Sequence, residues 1–254
     1  MTACLAASAA AACGCSGGEA VVNYELSQDG THYIVGGVSG NLNGLTEYEI
    51  PAYYSEEGGA ELPVTEIGEG AFLNCKRLAS VKMPATITSI GKNAFTYCAF
   101  FSVTIPESVT FIGYGAFGAC TSLTQITVPQ SVTLMEGHAF YGCSKLQKAV
   151  VKASVEIIPE NAFSNFVYAE GGNAFTNSSL KEVYLSDSVQ KIHVTAFNGD
   201  IYLEEIYFAG SEEQWNAVYF FDMTKNAETG EWEEVKYEKS EVIGDMSVHF
   251  NSEF

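Results

Sequence analysis

Apolar positions recur along this chain with a period of about 23 residues, and each period splits into two unlike halves. One half carries the pair Ala-Phe, at Ala71-Phe72, Ala94-Phe95, Ala116-Phe117, Ala139-Phe140, Ala162-Phe163 and Ala196-Phe197. The steps between copies are 23, 22, 23, 23 and 34 residues. Five residues before each Phe stands Ile67, Ile90, Ile112, Met135, Ile158 or Ile192. Three residues after the first four stand Cys75, Cys98, Cys120 and Cys143, and Phe166 and Asp200 take that place later. The other half alternates: Leu78-x-x-Val81-x-Met83, Phe101-x-Val103-x-Ile105, Leu123-x-x-Ile126-x-Val128, Leu146-x-x-Ala149-x-Val151, Leu180-x-x-Val183-x-Leu185 and Leu203-x-x-Ile206-x-Phe208. A period of two predicts a strand with one buried face. Pro84, Pro106 and Pro129 end such strands, because proline has no N–H for the ladder. The second copy is one residue short, which accounts for the step of 22. The Ala-Phe half is too short for an independent helix and predicts a single turn of α or 3₁₀ helix.

A 23-residue unit with one strand cannot bury its own apolar face. Stacked copies can, with one parallel strand per rung at a spacing of about 4.8 Å. The expected fold is therefore a mostly β solenoid. Counting a degenerate first copy at Leu45-x-x-Tyr48-x-Ile50-Pro51, it has about seven rungs. Its ends must be capped, since an open stack exposes apolar faces and strand edges.

The unit IPESVTFIGYGAFGACTSLTQITVP (105–129) resembles the leucine-rich repeats of the BspA-like, Treponema pallidum-type family, in which SVTxIGxxAFxxCxxLxxIxIP recurs. The resemblance covers about 64–209. VNYELSQDGTHYIVGG is similar to that family's opening hairpin, and YFAGSEEQWNAV to its closing segment. It implies a leucine-rich repeat solenoid, a right-handed β/α superhelix with short helical turns. It also implies a bacterial surface or secreted protein, since some members are implicated in adhesion to host matrix proteins.

Four parts are expected: a signal-like segment and linker at 1–18, a capping hairpin and degenerate repeat at 19–66, repeats at 67–209 with an insertion at 164–177, and a closing cap at 210–254. In the front cap, Tyr24–Leu26 and His32–Val38 read as strands around a turn at Asp29-Gly30. In the rear cap, Ser211 reads as a helix start with Glu213 or Gln214 near the capping-box position. Trp215 and Val218 would pack on the last rung. Thr224–Gly230 reads as a loop, and Glu231–Lys239 and Val242–Phe250 as closing strands.

Charge sharpens the picture. The net charge is −19, with no Lys or Arg among residues 1–75 and three among 204–254. Two acidic ends, each −10, flank a centre of +1. Such a surface repels phosphate backbones, so nucleic acid is not expected as a partner. No run of 18 apolar residues exists, so no transmembrane helix is expected. Met1–Ser16 is small and apolar, like the h-region and cleavage site of an export signal. Gly14-Cys15-Ser16-Gly17-Gly18 resembles the end of a bacterial lipoprotein signal, whose cysteine thiol takes a diacylglyceryl anchor. Cys15 is thus the lipidation candidate, with Ala12 where a large aliphatic residue is usual. The expected location is extracytoplasmic, at the cell surface or secreted.

The chain has no HExxH, GxSxG, P-loop or EF-hand pattern. Adjacent acids such as Glu204-Glu205 and Glu233-Glu234 point to opposite faces of a strand, so they form no catalytic carboxylate pair. No enzyme activity, cofactor or metal is expected. His138 and His193 read as surface residues. Cys75, Cys98, Cys120 and Cys143 would form a ladder of small buried thiols. Disulfides between adjacent rungs remain geometrically open, whereas a straight ladder suits a zinc tetrahedron poorly.

The outward strand positions line the expected concave face: Ser80/Lys82, Ser102/Thr104, Gln125/Thr127, Lys148/Val150, Glu182/Tyr184 and Glu205/Tyr207. Solenoids use such faces for recognition, and tyrosine recurs at binding hot spots. The ligand-binding candidates are Lys82, Thr104, Gln125, Thr127, Lys148, Glu182, Tyr184, Glu205 and Tyr207. Phe166, Tyr168 and Phe175 of the insertion form a second candidate surface. The expected function is a non-enzymatic binding or adhesion module, a monomer, for a protein or glycan on a host or neighbouring cell. The alternative is a structural, self-associating envelope protein.

Overall fold

The computed structural model describes residues 19–168, 174–176, 179–227, 229–244 and 246–254. Cys15 and the rest of 1–18 lie outside the described residues. The chain opens with an antiparallel hairpin, β1 (Val21–Leu26) and β2 (Tyr33–Ser39). Its turn is tied by Asp29, whose carboxylate accepts from Ser27 Oγ and from the backbone and hydroxyl of Thr31. A 3₁₀ turn at Leu42–Gly44 leads into β3 (Glu47–Glu49), β4 (Tyr53–Tyr54) and β5 (Leu62–Ile67).

The repeats follow. They give β6 (Ser80–Lys82), β7 (Ser89–Ile90), β8 (Phe111–Ile112), β9 (Gln125–Val128), β10 (Leu134–Met135), β11 (Lys148–Val151) and β12 (Ile157–Ile158). The insertion is an antiparallel hairpin of β13 (Phe166–Tyr168) and β14 (Ala174–Thr176). β15 (Glu182–Leu185), β16 (Lys191–His193) and β17 (Glu205–Phe208) complete the repeats. Then come α1 (Glu212–Ala217), β18 (Tyr219–Lys225), β19 (Trp232–Tyr237), α2 (Lys239–Val242) and β20 (Ser247–His249).

These strands form two kinds of parallel sheet. The longer strands give a main sheet ordered β20-β17-β15-β11-β9, with β3-β6 as a separate pair. The short strands at the Ile positions give a second face, ordered β1-β2-β5-β7-β8-β10 and then β12-β16-β18-β19, parallel except for the hairpins β1-β2 and β18-β19. The main sheet is interrupted where the second copy is one residue short. Residues 102–105 form no ladder, so Thr104 sits on an irregular segment and not on the expected strand.

The Ala-Phe halves form a third rail, and here the expected helix does not form. Alternate amides do different work. Ala94, Thr96 and Cys98 donate to carbonyls three residues back, while Phe95 and Tyr97 donate to Ala116 and Gly118 of the next rung. A helix would keep every amide within the rung; this chain spends half of them on joining rungs. The price is two left-handed residues per rung, at Asn93 and Tyr97, Gly115 and Ala119, and His138 and Gly142. The rings stack through the core: Phe72 on Phe95 at 5.1 Å, Phe95 on Phe117 at 5.3 Å, Phe117 on Phe140 and Phe140 on Phe163 at 5.4 Å, and Phe163 on Phe197 at 5.9 Å. The glycines after Ile67, Ile90 and Ile112 let rungs approach. A Cβ on Gly113 would lie 2.7 Å from the Lys92 nitrogen and 2.9 Å from the Gly91 carbonyl carbon.

At the rear, Ser211 caps α1 with Gln214 in a reciprocal capping box, and Trp215 packs against Phe208. β18, inside a stretch with no expected strand, extends the second face by pairing with β16 and β19. Residues 239–242 are helical, and only 247–249 of the expected last strand pair with the sheet. His193, expected at the surface, is buried. It sits under β18, with Nε2 3.2 Å from Asp222 Oδ1 and Nδ1 accepting from the Thr195 backbone. His138 is half-buried between Tyr114 and Tyr141.

Phe117→Ala is expected to cost about 3–5 kcal/mol, since it opens a cavity and breaks two stacked contacts. Gly113→Ala should cost about 1–3 kcal/mol by forcing rungs apart. Ala119→Gly relieves a left-handed alanine and should stabilise by about 0.5–1 kcal/mol. Urea unfolding of the three variants measures all of these.

Candidate functional site

The main sheet presents two rows of outward side chains. Strict register puts Gln125, Lys148, Glu182, Glu205 and Ser247 in one row and Thr127, Val150, Tyr184, Tyr207 and His249 in the other. Each rung repeats the same residue positions, so side chains of one row fall one strand spacing apart, close enough for rings to stack.

The second row does stack. Tyr184 and Tyr207 are parallel within 7° at 4.3 Å, and Tyr207 and His249 within 16° at 4.6 Å. Phe254 closes edge-on against Tyr184 at 5.4 Å, and the Lys148 ammonium lies over the Tyr184 ring at 4.0 Å. The first row supplies charge. Tyr184 and Tyr207 donate their hydroxyls to Glu182 at 3.1 Å and Glu205 at 2.5 Å. Lys148 pairs with Glu182 at 3.5 Å and His249 with Glu205 at 3.1 Å. These contacts move proton affinities. Tyr184, and then Glu182, hold the Lys148 ammonium above its ordinary range. The Tyr207 hydroxyl, and then His249, lower the Glu205 carboxyl, and the same bond pushes Tyr207 up to about 12. Glu205 is thus ionised and Tyr207 protonated at neutral pH, with their positions locked to one another. Beside Lys148 a shallow groove is lined by Thr124, Gln125, Gln147, Lys148, Lys181 and Glu182.

Of the residues expected to bind, Lys148, Glu182, Tyr184, Glu205 and Tyr207 come together, with Gln125 and Thr127 on the neighbouring strand β9. Lys82 and Thr104 do not join them. Lys82 lies beyond the interrupted rung and pairs with Glu49 at 3.2 Å, while Thr104 is exposed on the irregular segment. Val150, read as exposed from the alternation, is buried in its row between Thr127 and the Tyr184 ring. Phe166, Tyr168 and Phe175 have side chains outside the described residues. The sequence reading missed His249 and Phe254. A signal existed, since Ser247-Val248-His249-Phe250 follows the pattern of Glu205-Ile206-Tyr207-Phe208, but no Ala-Phe pair precedes it.

The four repeat cysteines are buried and unbridged. The thiols of Cys98, Cys120 and Cys143 donate to the carbonyls of Phe72, Phe95 and Phe117, one rung back. Asp200, at the sixth place in this column, accepts from Asn165 Nδ2 at 2.8 Å inside the core. Burial raises the Cys98 and Cys120 thiols strongly and pushes Cys143 up to about 12. Among the described residues no group of three or more His, Cys, Asp or Glu could hold a metal ion, and no helix is long and apolar enough to cross a membrane.

Residues 60–170 and 169–237 match the BspA type leucine rich repeat region, in six copies. The chain belongs to this family. BspA-type repeats account for the Ala-Phe turns and main-sheet strands alike. Among solved structures, a leucine-rich repeat protein from Bacteroides ovatus superposes with a TM-score of 0.56 at 23% identity, over 74% of this chain and 53% of that one. This chain therefore spans about half the length of that protein, and the likeness is one of fold. A leucine-rich repeat protein from Bacteroides capillosus is 38% identical over 44% of this chain and 80% of its own, with a TM-score of 0.41. The T. pallidum leucine-rich repeat protein is 20% identical over 74% of this chain and 82% of its own, with a TM-score of 0.49. No curated protein matches the chain. The family's repeat fold is a non-catalytic one, suited to binding or to structural roles.

The raised thiols carry a pH signature. Their stabilising contribution is complete below the ordinary thiol value of 9.0, where folded and unfolded chains are both protonated. It is lost as pH rises above that value, because the unfolded chain ionises first, at about 1.4 kcal/mol per thiol per pH unit. The melting temperature of the wild type should therefore fall more steeply between about pH 9 and 11 than that of Cys98→Ala/Cys143→Ala. Parallel slopes would show that the thiols do not report burial.

Proposed function

We propose that this chain is a non-enzymatic extracytoplasmic binding module that recognises a protein or glycan on a host or neighbouring cell through its concave face. The observation that carries this reading is the locked row of Lys148, Tyr184, Tyr207 and His249 with its flanking Glu182 and Glu205. A row that only had to keep the sheet soluble would need no such order. Here aromatic rings, a cation and two anions are held in fixed mutual positions on a rigid sheet, so little side-chain entropy is lost when a partner docks. The ring faces are occupied by one another, by the ammonium and by Phe254. A partner therefore meets ring edges, phenol oxygens and carboxylates. That surface favours hydrogen-bonding groups, such as peptide amides or sugar hydroxyls, over a flat stacking ring.

Attachment to the cell surface by Cys15 belongs to the same reading, and mass spectrometry of the protein recovered from its native membrane fraction checks it. A diacylglyceryl adduct on Cys15 is the expected outcome.

The recognition role is checked by screening the full chain on arrays of glycans and extracellular-matrix proteins. Tyr184→Ala and Tyr207→Ala should each weaken a specific hit roughly tenfold or more, because hot-spot aromatics dominate such interfaces. Both variants should keep the wild-type melting temperature within about 2 °C, since the rings lie on the sheet surface and not in the core. A hit that both variants bind as the wild type does would remove the concave face from consideration.

A further inference from the structure

The solenoid's second face ends on β19, and among the described residues no strand pairs with its outer edge. Its backbone polarity is fixed by the hairpin with β18. Asn226 N–H donates to Glu231 O at 2.8 Å, and in an antiparallel ladder hydrogen-bonded pairs alternate from there. The residues paired with Thr224 and Asp222, namely Glu233 and Val235, therefore turn their amides inward to β18. Trp232, Glu234 and Lys236 turn their N–H and C=O groups outward, to the open edge. Trp232 and Val235 are also exposed.

An open edge carrying glutamates ordinarily discourages strand addition. The order of charges here has a further property. Two copies of β19 related by a two-fold axis perpendicular to the sheet pair antiparallel in a register centred on one residue. Centred on Val235, that register sets Glu234 opposite Lys236 of the partner subunit and Lys236 opposite the partner subunit's Glu234. Both are outward-facing residues and so form hydrogen-bonded pairs, with Val235 against the partner's Val235 between them. Centred one residue earlier, Glu234 would meet its own copy. Centred one residue later, Lys236 would. Of these three registers only the one centred on Val235 is charge-complementary. Within one chain Glu234 is held by Lys191 at 2.9 Å and by the Tyr219 hydroxyl at 3.0 Å, and the Lys236 ammonium lies over the Tyr219 ring at 3.8 Å, so both side chains turn from these inner partners to the partner subunit when the edge pairs.

We propose that the free edge of β19 is the interface of a two-fold homodimer, in place of the monomer expected from the sequence, with a second copy of this chain as its occupant. The dimer joins the second faces of two solenoids end to end and leaves both main sheets open. It is independent of the binding role proposed above. Because pairing consumes the edge, assembly closes at two.

Sedimentation equilibrium of the full chain over about 1–200 μM, the range of a modest edge interface, tests this. The wild type should approach a dimer and nothing larger. E234K alone sets lysine against lysine, and K236E alone sets glutamate against glutamate; each should be monomeric across the range. An equimolar mixture of the two should recover a dimer containing one of each, since every cross-strand pair is again opposite in sign. K236E gives up a contact with the Tyr219 ring and a charge attraction to Glu234 but no hydrogen bond, so it is the variant to read if E234K unfolds. A wild type monomeric throughout, single variants that dimerise as the wild type does, folded variants whose mixture stays monomeric, or assembly beyond two would each overturn the proposal.

Discussion

Parallel phenylalanine rings, one per repeat and 5.1–5.9 Å apart, set the pitch of this molecule. No unit of about 23 residues can bury a ring of that size within itself. The ring of the next copy supplies the missing wall, and the interleaved amides of the Ala-Phe turns hold the copies at that distance. Everything else follows from this spacing. Gly68, Gly91 and Gly113 stand where the backbones come so close that a Cβ would clash. The cysteine column is buried for the same reason, and the thiols of Cys98, Cys120 and Cys143 each find a carbonyl one copy back because the pitch brings it there.

The same spacing explains what the main sheet offers. Aromatic pairs favour centroid separations of about 4.5–7 Å, and the roughly 4.8 Å between strands in a ladder falls within that range. Tyrosines at equal positions on β15 and β17 therefore stack on the outside much as the phenylalanines do inside. The outer stack differs in its partners. Its hydroxyls and flanking carboxylates face solvent, so it is ordered without being consumed by the core.

Repetition is also what made the chain legible. Ile67, Phe72 and Cys75 recur in phase, so their burial and the parallel strands between them could be read without any other information. Positions outside the phase were not readable. His193 lies on β16, one residue after the recurring Ile192, and its burial depends on β18, a strand with no counterpart in the repeats. The helix expected at the Ala-Phe pairs failed for a different reason. Local spacing cannot reveal that alternate amides leave for a neighbouring copy. Val150 shows the limit of alternation itself, since a residue on the outward side of a strand is still buried when large side chains flank it. For the candidate site, Lys148, Tyr184 and Tyr207 were visible as strand positions, but the row continues through His249 and Phe254, which lie beyond the last Ala-Phe pair.

The irregular stretch at 102–105 has a wider meaning. One residue is missing there, yet the phenylalanine rail runs through that rung without a step, from Phe72 to Phe95 to Phe117. The two sides of the solenoid thus tolerate error unequally. The turn rail is indexed copy by copy and admits no slip, whereas the strand side can lose a rung of ladder and resume two copies later. This chain accommodates a missing residue on the strand side and extra residues in the connection 164–177 while its phenylalanine rail stays in step. Over time the surface that meets the outside world is free to diversify on a backbone whose period is held constant.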